Sequence, residues 1–155
     1  MELADILAKG SVLICTDLNS KHQLFEHLAD QAAQTCGHDR DKILDTLLDR
    51  EALGSTGLGD GVAVPHGKLV GLNGVTAVFA RLVPPLDFDS VDDQAVDLVM
   101  MLLAPAGSGA DHLKALSRVA RLLRTEALVA DLRRSDDPER LFELLTAPIT
   151  THFAA

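Results

Sequence analysis

A three-layer α/β/α sandwich, with a small mixed β-sheet flanked by helices, is the fold class that this 155-residue sequence predicts. Two observations carry that expectation. The runs from Gly74 to Val83 and from Val96 to Leu103 are β-prone with apolar residues at both parities, the pattern of strands covered on both faces. Around them the segments read as a strand, two helices, a block of strands and three helices, which buries the sheet between helical layers.

Taken in order, Val12-Leu13-Ile14-Cys15 reads as a buried strand, ending at Asp17-Leu18-Asn19-Ser20, where Asn19 or Ser20 caps a helix. That helix carries Leu24, Phe25, Leu28, Ala32 and Ala33 on one face and stops near Gly37. Asp39 caps a second helix with Ile43, Leu44, Leu47 and Leu48 as its apolar stripe, until Arg50-Glu51 ends the pattern. From Gly54 to Gly61 four glycines fall within eight residues, so the segment reads as a loop. Val62-Ala63-Val64 is a short strand cut off by Pro65, with His66 directly after its end. Between the two long strands, Pro84-Pro85-Leu86-Asp87-Phe88-Asp89 reads as a surface link. After a turn at Ala106 to Gly109, a helix from about Asp111 to Arg124 packs through Leu113, Leu116, Ala120 and Leu123. The last of two further helices begins at Asp136-Asp137-Pro138-Glu139 and turns Leu141, Phe142, Leu144 and Leu145 inward. Residues 1–155 form a single domain, with Thr146 to Ala155 a loosely held end.

Composition narrows the function. Fourteen Lys and Arg against twenty-three Asp and Glu give a formal charge of −9, which repels polyanions, so neither nucleic acid nor an anionic membrane surface is an expected partner. The longest uncharged stretch, Leu98 to Ala110, falls short of the ~20 residues of a membrane helix. No signal peptide is legible, and the chain is expected to be cytoplasmic without membrane insertion. Cys15 and Cys36 match no zinc or redox spacing and read as buried thiols; no metal site is expected.

The glycine-rich segment invites a nucleotide reading, and both templates fail. A dinucleotide fingerprint starting at Gly57 would need glycine where Val62 stands, and no helix opens there. A phosphate loop of the Walker type needs four residues before its Gly-Lys pair, whereas five separate Gly61 from Gly67-Lys68. What remains is Pro65-His66-Gly67-Lys68, with a run of backbone N–H donors around Gly57 and two hydroxyls, Ser55 and Thr56, upstream. Proline directs the chain and Gly67 leaves room beside the ring. An imidazole, with its ordinary pKa of ~6.5, keeps a neutral nucleophilic nitrogen near pH 7. Phosphoryl transfer asks chiefly for positioning and charge stabilisation, which Arg50, the loop amides and a second imidazole can supply.

The run from Arg50 through Gly54-Ser55-Thr56-Gly57-Leu58-Gly59-Asp60-Gly61 to Pro65-His66-Gly67-Lys68 resembles the active-site signature of the fructose, mannitol and nitrogen-type enzyme IIA family. The similarity extends through Asp97 and the His112-Leu113 helix. The resemblance implies that His66 is phosphorylated, that His112 lies beside it and that Arg50 is the arginine before the glycine loop. It further implies a relay from phosphoenolpyruvate through enzyme I and an HPr-like phosphocarrier to His66, without metal or organic cofactor. The free-standing length and Pro-His-Gly-Lys-Leu are similar to the nitrogen-regulatory branch, in which phosphorylation decides which regulatory or transport protein docks. Two alternatives stay open: a sugar-specific enzyme IIA donating to a IIB domain, and a binding module that no longer turns over phosphate. Asp97 is expected to bond a neighbouring backbone group or orient a site group, and His22, His27, His38 and His152 to be solvated.

Overall fold

In the computed structural model, which describes residues 2–147, the chain runs β1 (Leu7–Cys15), α1 (Lys21–Cys36), α2 (Arg40–Ala52), β2 (Gly57–Gly59), β3 (Val62–Ala63), β4 (His66–Leu69), β5 (Thr76–Leu86), β6 (Val96–Pro105), α3 (Gly109–Leu122), α4 (Glu126–Arg134) and α5 (Pro138–Thr146). The strands form one mixed sheet in the order β1-β5-β6-β3-β2, and β4 pairs with β6 beyond the end of β3. Strand β5 is parallel to β1 and antiparallel to β6, while β3 and β4 both run parallel to β6.

Strict alternation along the central strands explains the three layers. On β6, Val99, Met101 and Leu103 enter the core under α1 and α2, while Leu98, Met100 and Leu102 enter the core under α3, α4 and α5. On β5, Val78, Ala80 and Leu82 face the first core and Ala77 and Phe79 the second. Burying side chains on both faces, at ~25 cal/mol per Å2 of apolar area, is what makes the sheet the frame of the molecule.

The helix ends follow their sequence signals. The Ser20 hydroxyl accepts from Gln23 N–H, the Asp39 carboxylate from Lys42 N–H and the Asp137 carboxylate from Glu139 N–H. Gly37 closes α1 in the left-handed region at φ 74°.

Five expectations are corrected. Strand β1 starts at Leu7 rather than Val12; its exposed stretch Ala8-Lys9-Gly10 lies on a sheet edge beside a register shift, and solvent-facing residues hide the strand pattern. The loop at 54–61 holds half of a hairpin, since Gly57–Gly59 pairs with Val62–Ala63 through an Asp60-Gly61 turn with φ 56° and 82°. Positive φ at both turn residues matches the right-handed twist of the strands, and an Asp-Gly pair is the sequence signal that announces it. The link after Val83 is a surface segment only in part: Pro84, Pro85, Asp87 and Asp89 are exposed, but β5 continues to a buried Leu86, and Phe88 is fully buried against Phe25. In α3 the buried face is His112, Ala115, Val119 and Leu122, and Leu113 is 66% exposed. Both cysteines are half-buried rather than sealed in the core, and desolvation pushes the Cys15 thiol pKa up. Of the end expected to be loosely held, Thr146 closes α5, and residues 148–155, His152 among them, lie outside the described residues.

Candidate active site

Pro65 carries no N–H, so it breaks the ladder between β3 and β4, although its carbonyl still accepts from Leu102 N–H at 2.9 Å. His66, expected past the end of a strand, is instead the first residue of β4, opposite Leu102. The apolar length of β6 offers an edge that recaptures the chain after the proline. Alternation then turns Gly67 and Leu69 toward α2 and His66 toward α3. The half-buried His66 ring places Nδ1 2.8 Å from the Val64 carbonyl oxygen. A carbonyl only accepts, so Nδ1–H donates and the lone pair of the neutral ring resides on Nε2.

The first turn of α3 brings His112 to that ring, with centroids 5.4 Å apart and planes at 71°. His112 is 7% exposed, and its Nε2 is buried without a hydrogen-bond partner among the described residues. Desolvation, then the charge that His66 carries when protonated and the Lys68 ammonium, hold its pKa below the ordinary imidazole value. The unfolded chain therefore binds the His112 proton more readily than the folded one, and folding stability falls as pH drops below ~6.5. The expected result is a urea midpoint that declines more steeply toward acid for the wild type than for His112→Gln; parallel curves would count against it.

Arg50, in the last turn of α2, donates from Nη1 to the Gly54 carbonyl at 2.9 Å. It shares with His66, Ser55, Thr56 and Gly57 a cleft of about 200 Å3, closed on the α3 side by Leu116 and Ala120. The expected meeting of Arg50, His66 and the glycine loop is therefore observed. The loop hydroxyls are engaged within the protein. Thr56, 5% exposed, donates its hydroxyl to the Glu51 carboxylate at 2.6 Å, and its N–H donates to the same group at 3.1 Å. Ser55 Oγ donates to the Phe88 carbonyl at 3.4 Å and accepts from Gly57 N–H at 3.1 Å. Glu51 stands in the signature run from Arg50 to Lys68 without a role of its own there, and Lys21 carries no motif.

Gly67 stands on the other face of β4 from the His66 ring, so it does not open space beside that ring. A Cβ there would come 2.5 Å from Thr46 Cγ2, and the Thr46 rotamer is held by its hydroxyl donating to the Lys42 carbonyl at 2.8 Å. Gly67→Ala is expected to destabilise the fold by ~1–3 kcal/mol through overpacking, with Thr46→Ala restoring most of the loss. Urea denaturation of the single and double variants checks this; equal midpoints for wild type and Gly67→Ala would refute it.

Asp97 neither bonds a neighbouring backbone through its side chain nor reaches the site. Its carboxylate pairs with Arg133 from Nε at 2.9 Å and Nη2 at 2.9 Å, and Arg133 Nη2 also donates to the Asp60 carbonyl at 2.7 Å. The pair clamps the β2–β3 turn onto α4, and a Cβ on Gly61 would sit 2.6 Å from Arg133 Nη2. The Asp92 carboxylate accepts from Asp60 N–H at 3.0 Å on the other side and from Gln94 N–H at 3.1 Å, and those backbone donors hold its pKa down. His22 and His27 are exposed, whereas His38 is half-buried with Nε2 3.0 Å from the Gly71 carbonyl.

The profile of the EIIA 2 family, described as a component of the phosphoenolpyruvate-dependent sugar phosphotransferase system, matches residues 5–147. The chain belongs to this family. It is 46% identical over 151 residues to a nitrogen regulatory protein of Bradyrhizobium diazoefficiens, covering 97% of this chain and 99% of that protein. A nitrogen regulatory protein of Klebsiella oxytoca is 36% identical over 148 residues, covering 94% and 91%. The crystal structure of the nitrogen regulatory protein IIA-Ntr from Neisseria meningitidis superposes with a TM-score of 0.87 at 31% identity, covering 93% of this chain and 99% of that one. This enzyme IIA chain is thus of the nitrogen-regulatory type and has its α/β fold. No helix among the described residues is long and apolar enough to cross a membrane.

Proposed function

We propose that this enzyme IIA is a cytoplasmic phosphocarrier that accepts a phosphoryl group on Nε2 of His66 from an HPr-like phosphocarrier protein. The observation that carries the reading is the 2.8 Å contact of Nδ1 with the Val64 carbonyl, which leaves Nε2 as the free nucleophile of a half-buried ring. As the bond from phosphorus to the donor's histidine breaks, the bond to Nε2 forms, with no proton to be removed from the attacking atom. The positive charge that develops on the ring is held by Nδ1–H donating to Val64. Around the group, the Arg50 guanidinium and the His112 imidazole stabilise the equatorial oxygens. His112 enters neutral and, with its Nε2 unpartnered, is free to act as a hydrogen-bond donor once the phosphoryl oxygens are within reach.

Ser55, Thr56 and Gly57 shape the cleft mainly by their backbone, because both hydroxyls bond within the protein. Gly67 serves the approach of β4 to α2. Full-length similarity to nitrogen regulatory proteins favours regulation over sugar uptake: the added charge, about −1.5 to −2, changes which regulatory or transport protein docks. Incubation with phosphoenolpyruvate, enzyme I and the phosphocarrier tests the reading. One acid-labile, base-stable phosphate per chain is the expected result; none, or a phosphate stable to acid, would overturn it.

A further inference from the structure

We propose that Glu51 and Lys21 are positioning residues for phosphoryl transfer, a partly buried ion pair that straps the glycine loop in place and neutralises the carboxylate bonded to Thr56 of the cleft. The inference rests on the His66 reading and extends it to residues that never touch the phosphoryl group.

The Glu51 carboxylate is 8% exposed and lies 2.6 Å from Lys21 Nζ. It also receives the Thr56 hydroxyl at 2.6 Å and the Thr56 N–H at 3.1 Å, so one group fixes both donors of a residue lining the cleft. Lys21 Nζ in turn donates to the Phe88 carbonyl at 3.0 Å and stands 4.3 Å from the centre of the Phe88 ring. That same carbonyl accepts the Ser55 hydroxyl. Ser55 and Thr56 are therefore tied, through Phe88 and Glu51, to one lysine at the start of α1. Arg50, adjacent to Glu51, closes the loop from above through Gly54.

Two physical consequences follow. Fixing Ser55 and Thr56 sets the direction of the remaining loop amides and the position of Arg50 over the cleft, and misplacement by an ångström or so costs about 10²-fold in rate. A carboxylate bonded directly to a cleft-lining residue would repel a phosphoryl group held there, and the Lys21 ammonium beside it offsets that charge. Stability alone does not call for this arrangement, because a buried ion pair is commonly no more stabilising than apolar residues of similar volume.

Single-turnover transfer from the phosphorylated HPr-like donor, with Glu51→Gln, Lys21→Met and the double variant, tests the proposal. Glu51→Gln is isosteric and keeps an acceptor for Thr56. The expected result is a saturated transfer rate about 10- to 100-fold lower with the half-saturating donor concentration unchanged. Lys21→Met, which strands the carboxylate, is expected to be the slower single variant, and adding Glu51→Gln to it should recover rate to the Glu51→Gln level. A merely structural pair would not separate the saturated rate from donor affinity. Folded Glu51→Gln transferring at the wild-type saturated rate would overturn the proposal, even should Lys21→Met fail to fold. So would a double variant no faster than Lys21→Met. A wild-type chain that takes up no phosphate would overturn the His66 reading and this inference together, whereas normal wild-type uptake with unaffected variants would sink this inference alone.

Discussion

His66→Ala is expected to take up no phosphate from the relay, at any donor concentration, while remaining folded. The loss is complete because a methyl group has no lone pair to attack phosphorus, and His112, with Nε2 enclosed and the ring 7% exposed, cannot take over the in-line approach. The fold survives because His66 is half-buried and contributes a single local hydrogen bond, to Val64, worth ~1 kcal/mol. Autoradiography of the variant after incubation with the full relay, alongside a thermal melt, checks both halves. Labelled phosphate on a folded His66→Ala chain would dismiss the assignment.

His112→Gln should slow phosphoryl transfer about 10²-fold, the usual effect of removing one preorganised donor from a charge-stabilising site. The variant separates the two histidines by role. As the proposed nucleophile, His66 is expected to show an absolute loss; His112, proposed to act on the oxygens, a graded one. Glutamine retains much of the volume of a side chain that is buried under the first turn of α3, whereas alanine would leave a cavity and confuse stability with transfer. Rapid-quench kinetics with saturating donor reads the effect, and a rate within twofold or so of wild type would reduce His112 to a packing residue.

The layer order and the placing of His66 at a strand end beside the glycine loop were legible in the chain because both rest on local or periodic signals. Ser20, Asp39 and Asp137 announce helix starts through side-chain caps, Gly37 announces a helix end, and Val96 to Leu103 announces a strand buried on both faces. Where a signal depends on tertiary partners, reading along the chain fails. Ala8-Lys9-Gly10 is strand only because β5 supplies the neighbouring ladder. Phe88 lies between aspartates in a segment with prolines, yet Phe25 and the Lys21 ammonium bring it inside. Leu113 looks like core by composition, but α3 turns His112 inward instead because the His66 ring faces it from β4. Asp97 and Arg133 are thirty-six positions apart and Glu51 and Lys21 thirty, so no spacing rule could pair them. The Asp60-Gly61 hairpin was the one missed element with a local signal, hidden by the density of glycines around it.

The most direct measurement is nitrogen-15 NMR of the phosphorylated chain with labelled histidine, read through coupling to phosphorus. A phosphorus coupling on Nε2 of His66, with Nδ1 still protonated and bonded to Val64, is the predicted result. Coupling at Nδ1 of that ring, or phosphorus on any other residue, would contradict it.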